Sequence, residues 1–169
     1  TYTDGTGETN FNFSPNNGFG NSFTPSVYPA QIDTIKFKMG TGGSGVVKIY
    51  ENGATGLPSN TLWQQTVTLD INWNAFIPQN ITIFNGSFTV AFEPQDTVSI
   101  SMDQSPPLAG SNPEMPAIAL QSNNGVWEDF GRGDLLIDTY LTPSGAPPPE
   151  PVLEVSQDTI QFPNTAVND

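Results

Sequence analysis

Residues 88–103 read Phe88-Thr89-Val90-Ala91-Phe92-Glu93-Pro94-Gln95-Asp96-Thr97-Val98-Ser99-Ile100-Ser101-Met102-Asp103. Phe88, Val90 and Phe92 alternate with Thr89, Ala91 and Glu93, and Val98, Ile100 and Met102 alternate with Ser99, Ser101 and Asp103. A period of two sends successive side chains to opposite faces of an extended chain, so both runs are strands with one dry face. The same rhythm recurs upstream. Ile35, Phe37 and Met39 are interleaved with Lys36 and Lys38, and Val67, Leu69 and Ile71 with Thr66, Thr68 and Asp70. Residues 46–50, 117–121 and 135–141 read as further strands.

Turn chemistry separates these runs. Asp4-Gly5, Asn17-Gly18, Asn52-Gly53, Asn85-Gly86 and Asn124-Gly125 all accept the positive φ of tight turns. Asn85-Gly86 parts residues 81–84 from 87–92 by two residues, which predicts a type I′ hairpin there. Residues 40–45 predict a glycine-rich hairpin loop. No window of a dozen residues keeps apolar positions at helical spacing, and a helical turn fits only near 72–76. About ten short strands with frequent turns predict an all-β fold, an antiparallel β-sandwich.

Composition agrees. Glycine and proline occur 16 times each in 169 residues, which disfavours helix and favours many turns. Eleven Phe, four Tyr and three Trp supply apolar surface that disordered chains lack. Seventeen acidic residues against four basic ones give a formal net charge of −13. Nucleic acid is therefore excluded as a partner, because Lys36, Lys38, Lys48 and Arg132 cannot form the basic stripe that displaces counterions from a polyanion. Insertion into a membrane is not expected, since no apolar run approaches the length of a spanning helix. Such a surface suits solubility in salty medium and attracts divalent cations. With no cysteine, the core holds without disulfides.

The composition shifts after Leu141. Thr142-Pro143-Ser144-Gly145-Ala146-Pro147-Pro148-Pro149-Glu150-Pro151 has the character of a stiff polyproline spacer. The expected organisation is a sandwich over 1–142, a linker over 143–151 and a strand-bearing segment over 152–169, too short to bury a core alone.

Tyr2-Thr3-Asp4-Gly5-Thr6-Gly7-Glu8-Thr9, the strand at 32–39, Lys48-Ile49-Tyr50, Gly56-Leu57-Pro58 and Gly133-Asp134-Leu135-Leu136-Ile137 together resemble a jelly-roll accessory domain of large secreted bacterial proteins, multidomain peptidases or adhesins of the Bacteroidota type. The likeness covers residues 1–142. Residues 151–167 resemble the opening strands of immunoglobulin-like repeats, with Pro163 where that family has a glycine after the phenylalanine. The resemblance implies a secreted or cell-surface location and a non-catalytic role as a spacer or binding unit. The partners it implies are neighbouring domains or copies of the chain.

Motifs that carry chemistry are few. With no histidine and no cysteine, Ser-His-Asp, Cys-His and histidine-based zinc sites are impossible within this chain. Glu128 and Asp129 are the best pair for glycosidic acid-base work, although surface carboxylates are ordinarily just solvated. No enzymatic activity is expected. Gly40, Gly42 and Gly45 match a dinucleotide-binding spacing but precede a strand rather than a helix. Arg132-Gly133-Asp134 spells a tripeptide recognised by some animal adhesion receptors. Calcium is the expected cofactor, if any: Asp4, Glu8, Asp134 and Asp138 are the candidate ligands, because jelly-roll modules often join their first and last strands through such a site. Trp63, Trp73 and Trp127, with Tyr28 and Tyr50, are candidates for an aromatic platform binding polysaccharide. Val152, Val155, Ile160 and Phe162 are placed to fill pockets if the tail donates a strand to a neighbour's sheet in an extracellular fibre.

Overall fold

The computed structural model describes residues 9–103, 117–131 and 134–144. They form two antiparallel sheets that do not close into a barrel, with no helix among the described residues: an all-β sandwich. The first sheet orders β1 (Thr9–Phe13), β9 (Val98–Asp103), β3 (Ala30–Thr41) and β13 (Ile137–Pro143). Strands β6 (Asn72–Phe76) and β7 (Thr82–Ile83) also pair with β3, and β12 (Asp134–Leu135) pairs with β9. The second sheet runs β11 (Val126–Asp129), β10 (Ala117–Asn123), β2 (Phe19–Phe23), β8 (Phe88–Pro94), β4 (Gly43–Asn52), β5 (Pro58–Leu69).

The alternating residues meet between the layers. Phe19, Phe23, Val47, Ile49, Phe88, Val90 and Phe92 of the second sheet pack toward Ile32, Ile35, Phe37, Met39, Ile100, Met102, Leu135 and Ile137 of the first, all of them buried. Phe37 and Phe92 meet across the gap with ring centroids 6.4 Å apart. Each such side chain contributes about 1.5–3 kcal/mol through removal from water. Buried polar side chains enter this layer at Asn21 and at Thr139, which stands opposite the inward-facing Ile35. Asn21, fully buried between Phe19 and Phe23 on β2, donates from Nδ2 to the carbonyls of Leu135 and Ile137 at 2.9 and 3.3 Å. It ties β2 of one sheet to the β12–β13 segment of the other.

The structure corrects several local expectations. Asn85-Gly86 is a turn with Gly86 at φ 68, but β7 before it belongs to the first sheet and β8 after it to the second. It carries the chain between layers rather than closing a hairpin. The two-residue hairpin with positive φ at both positions lies instead at Asn124-Gly125, which joins β10 to β11 with Asn123 opposite Val126. Residues 40–45 are not a hairpin loop either. β3 continues to Thr41, β4 begins at Gly43, and the two lie in different sheets. Gly45 is already in β4, where a Cβ would stand 2.4 Å from Phe92 Cζ and 2.5 Å from the Glu93 carbonyl oxygen. Residues 72–76 form β6 rather than a helical turn, because Ile35 to Met39 offer a strand edge that satisfies their backbone. Ile71 leaves the alternation and is 62% exposed. The chain turns around it, where Asn74 bonds both the amide and the carbonyl of Asp70 and Asn72 takes φ 80.

Successive antiparallel pairings from β1 through β9 and β3 to β13 make β1 and β13 antiparallel to each other. The amino end of β1 and the carboxyl end of β13 therefore point the same way along the sheet. The opposite end of the sandwich carries the turns at 14–18 and 95–97, the crossing at Gly42 and the Asn124-Gly125 hairpin.

Candidate functional site

An open groove of about 470 Å³ lies at that opposite end, lined by Asn16, Val46, Glu93, Pro94, Gln95, Ser122, Asn124 and Gly125. Local backbone chemistry fixes its rim. Asn16 holds φ 68 and its amide donates to the Pro94 carbonyl at 3.3 Å. The Gln95 amide donates to the Ser44 carbonyl at 2.9 Å. The Asp96 carboxylate accepts from the Ser44 amide at 2.9 Å and from its hydroxyl. Those two donors, the hydroxyl first, hold the Asp96 carboxyl below the usual range. Ser122 Oγ accepts from the Gly125 amide at 3.1 Å.

The groove wall is charged but compensated. Glu93 pairs with Lys48 Nζ at 2.6 Å and accepts from the Tyr50 hydroxyl. Burial of Tyr50, reinforced by the hydrogen bond and negative charge of Glu93, raises the phenol well above its ordinary value, so Tyr50 stays neutral. Primary amides, a hydroxyl and a fixed carboxylate thus face one open space. Amides both donate and accept, which suits a neutral, hydroxyl-rich ligand. A smaller groove of about 260 Å³ beside it is lined by residues of β1, β10, β11 and the turn after β1, including Phe11, Asn17, Gln121 and Glu128.

The candidate aromatic residues do not converge. Trp63, half-buried on β5, packs against the core. Trp73 is 40% exposed on the outer face of the first sheet, opposite Lys38, whose Nζ stands 5.9 Å from its ring centre. Trp127, on the outer face of the second sheet, meets Tyr50 edge-on at 5.9 Å. Tyr28 packs against the core and donates to the Gly86 carbonyl at 2.6 Å. Strand parity and sheet membership, which spacing alone does not give, assign the three indoles to three different surfaces. Sequence reasoning missed Tyr140, which is exposed on the same outer face as Trp73 and lies under Lys36 Nζ, 4.6 Å from its ring centre. Its signal was the pairing of β13 with β3, which places Tyr140 opposite Thr34.

The acidic candidates divide as well. Asp134 faces Asp103 across the β9–β12 pair, a partner the sequence did not single out, while Asp138 stands opposite Lys36. Asp4 and Glu8 lie outside the described residues. Among the described residues no three carboxylates come close enough to hold a metal ion. Glu128 and Asp129 are consecutive on β11 and turn to opposite faces: Glu128 accepts from Gln121 at 2.8 Å and Asp129 from the Gly131 amide at 2.8 Å. They share no cleft. Arg132 and Gly133 lie outside the described residues, whereas Asp134 opens β12 within the sheet. The proline-rich spacer beyond Ser144 and the strand-donation candidates Val152, Val155, Ile160 and Phe162 also lie outside them. Comparison with protein-family profiles, curated proteins and solved structures gives no match.

Proposed function

We propose that the chain is a non-catalytic structural and adhesive module of a secreted or cell-surface multidomain protein, of the kind that large bacterial surface proteins and peptidases carry. The carrying observation is geometric: the polar groove sits at the end of the sandwich opposite to the direction in which β1 begins and β13 finishes. A domain suspended by that side from its neighbours presents the groove outward. The absence of histidine and cysteine from the chain and the divergence of Glu128 and Asp129 support binding over turnover. A structural calcium ion, with Asp4, Glu8, Asp134 and Asp138 as its candidate ligands, belongs to the same reading; it is tested by melting the protein in calcium and in chelator.

Carbohydrate is the second reading, favoured by the groove lining. Asn16, Gln95, Ser122 and Asn124 offer neutral donors and acceptors to sugar hydroxyls. Affinity electrophoresis through a panel of polysaccharides tests both readings. Retention on one polymer, weakened about tenfold or more in Gln95→Ala and Asn124→Ala proteins of unchanged melting temperature, establishes sugar binding. Adhesion of cells displaying the module, without retention on any polymer, identifies a non-carbohydrate ligand. Release of product from chromogenic glycosides or peptides by the purified chain rules out the non-catalytic role.

A further inference from the structure

The second sheet ends differently on its two sides. One margin is β11, four residues long and carrying Glu128 and Asp129. A short, charged strand is how sheets ordinarily blunt an open edge. The other margin is β5, twelve residues long with the sequence Pro58-Ser59-Asn60-Thr61-Leu62-Trp63-Gln64-Gln65-Thr66-Val67-Thr68-Leu69 and no charged side chain. On a chain of net charge −13, a neutral margin of that length is a place where two copies approach with little like-charge repulsion. Among the described residues β5 pairs only with β4, and residues 59–62, 64–66 and 68 are exposed. Register shifts against β4 are confined to its first half, and from Trp63 to Leu69 the pairing is regular. That regular half includes the good strand formers Trp63, Thr66, Val67 and Thr68.

We propose that two copies of this chain join through β5, edge to edge and antiparallel about a two-fold axis at Thr66, to make one continuous sheet. The register follows from the two-fold. Thr66 faces Thr66, and Trp63 of one copy faces Leu69 of the other on the inner side of the sheet. Gln65 likewise faces Val67. Parity is preserved, so the half-buried Trp63 and Val67 gain cover without turning any outer residue inward. Facing threonines are a favourable cross-strand pair. The occupant is a second β5 rather than the tail of residues 152–169, because Glu154 and Asp158 in that segment would bring acids to an acidic molecule.

Sedimentation equilibrium of the full chain from micromolar to millimolar concentration reads the association. The wild-type protein is expected to form a dimer. Thr66→Lys, which sets two cations opposite each other at the axis, is expected to weaken it at least tenfold with an unchanged circular dichroism spectrum and melt. Thr66→Val, which keeps the strand and adds no charge, retains the dimer and separates charge from misfolding. A monomer throughout the range overturns the proposal. So does a dimer insensitive to Thr66→Lys but abolished by Val155→Lys with Ile160→Lys, which would assign the contact to the tail.

Discussion

Asp96 shows how one exposed side chain shapes the groove end. Its carboxylate receives both donors of Ser44, at the start of β4, from the turn between β8 and β9, so it fastens the two sheets where the chain crosses between them. Because these hydrogen bonds favour the ionised form, the carboxyl titrates below its ordinary 3.8 in the folded protein. A depressed folded value adds stability above the unfolded value, and that stability is lost as pH falls through the folded one. The expected outcome is that Asp96→Asn melts below wild type at neutral pH and that the gap closes on acidification below about 4; paired thermal melts over that range check it. Asn21 illustrates the limit of reading single residues. Between two phenylalanines it reads as an ordinary polar interruption, and only the neighbouring sheet supplies the carbonyls it bonds. Its Oδ1 has no hydrogen-bond partner among the described residues, a desolvation cost of about 1–3 kcal/mol that the two donated bonds offset.

At the level of elements, strand identity was legible wherever an alternating run was long enough to bury one face, as at 35–39, 88–92 and 98–102. Which sheet each strand joined was not. Asn85-Gly86 and Asn124-Gly125 present the same dipeptide, yet one crosses the sandwich and the other closes a hairpin, because the strand before Asn85 pairs with β3 while the strands on either side of Asn124-Gly125 pair with each other. The 40–45 glycines look like loop formers and are instead packing residues. Gly45→Val should therefore destabilise by about 1–3 kcal/mol or more through a clash with Phe92 and the Glu93 carbonyl. Urea denaturation gives the number. A variant as stable as wild type would show that this glycine serves the turn rather than the close approach of β4 and β8.

At the scale of the molecule, an excess of thirteen negative charges sits on a sandwich with no disulfide and few cations. Three lysines are engaged: Lys48 with Glu93, Lys36 over Tyr140, Lys38 over Trp73. Self-repulsion among the remaining carboxylates opposes compaction, and salt screens it. Moderate sodium chloride should raise the melting temperature by roughly 4 °C relative to low ionic strength, equivalent to about 1 kcal/mol. A melt that falls with salt would mean that local ion pairs outweigh the repulsion.

By itself the amino-acid sequence determined the class of fold and the exclusions. Period-two alternation has no stable outcome except pleated layers with water expelled between them, and a chain without imidazole or thiol cannot run the reactions that need them. The tertiary structure alone decided which side chains share a surface. Trp63, Trp73 and Trp127 were dispersed and Asn16, Gln95 and Asn124 gathered because contacts in a sandwich are made between strands distant in the chain. Their pairing follows from the summed burial of many faces, and no local spacing encodes it.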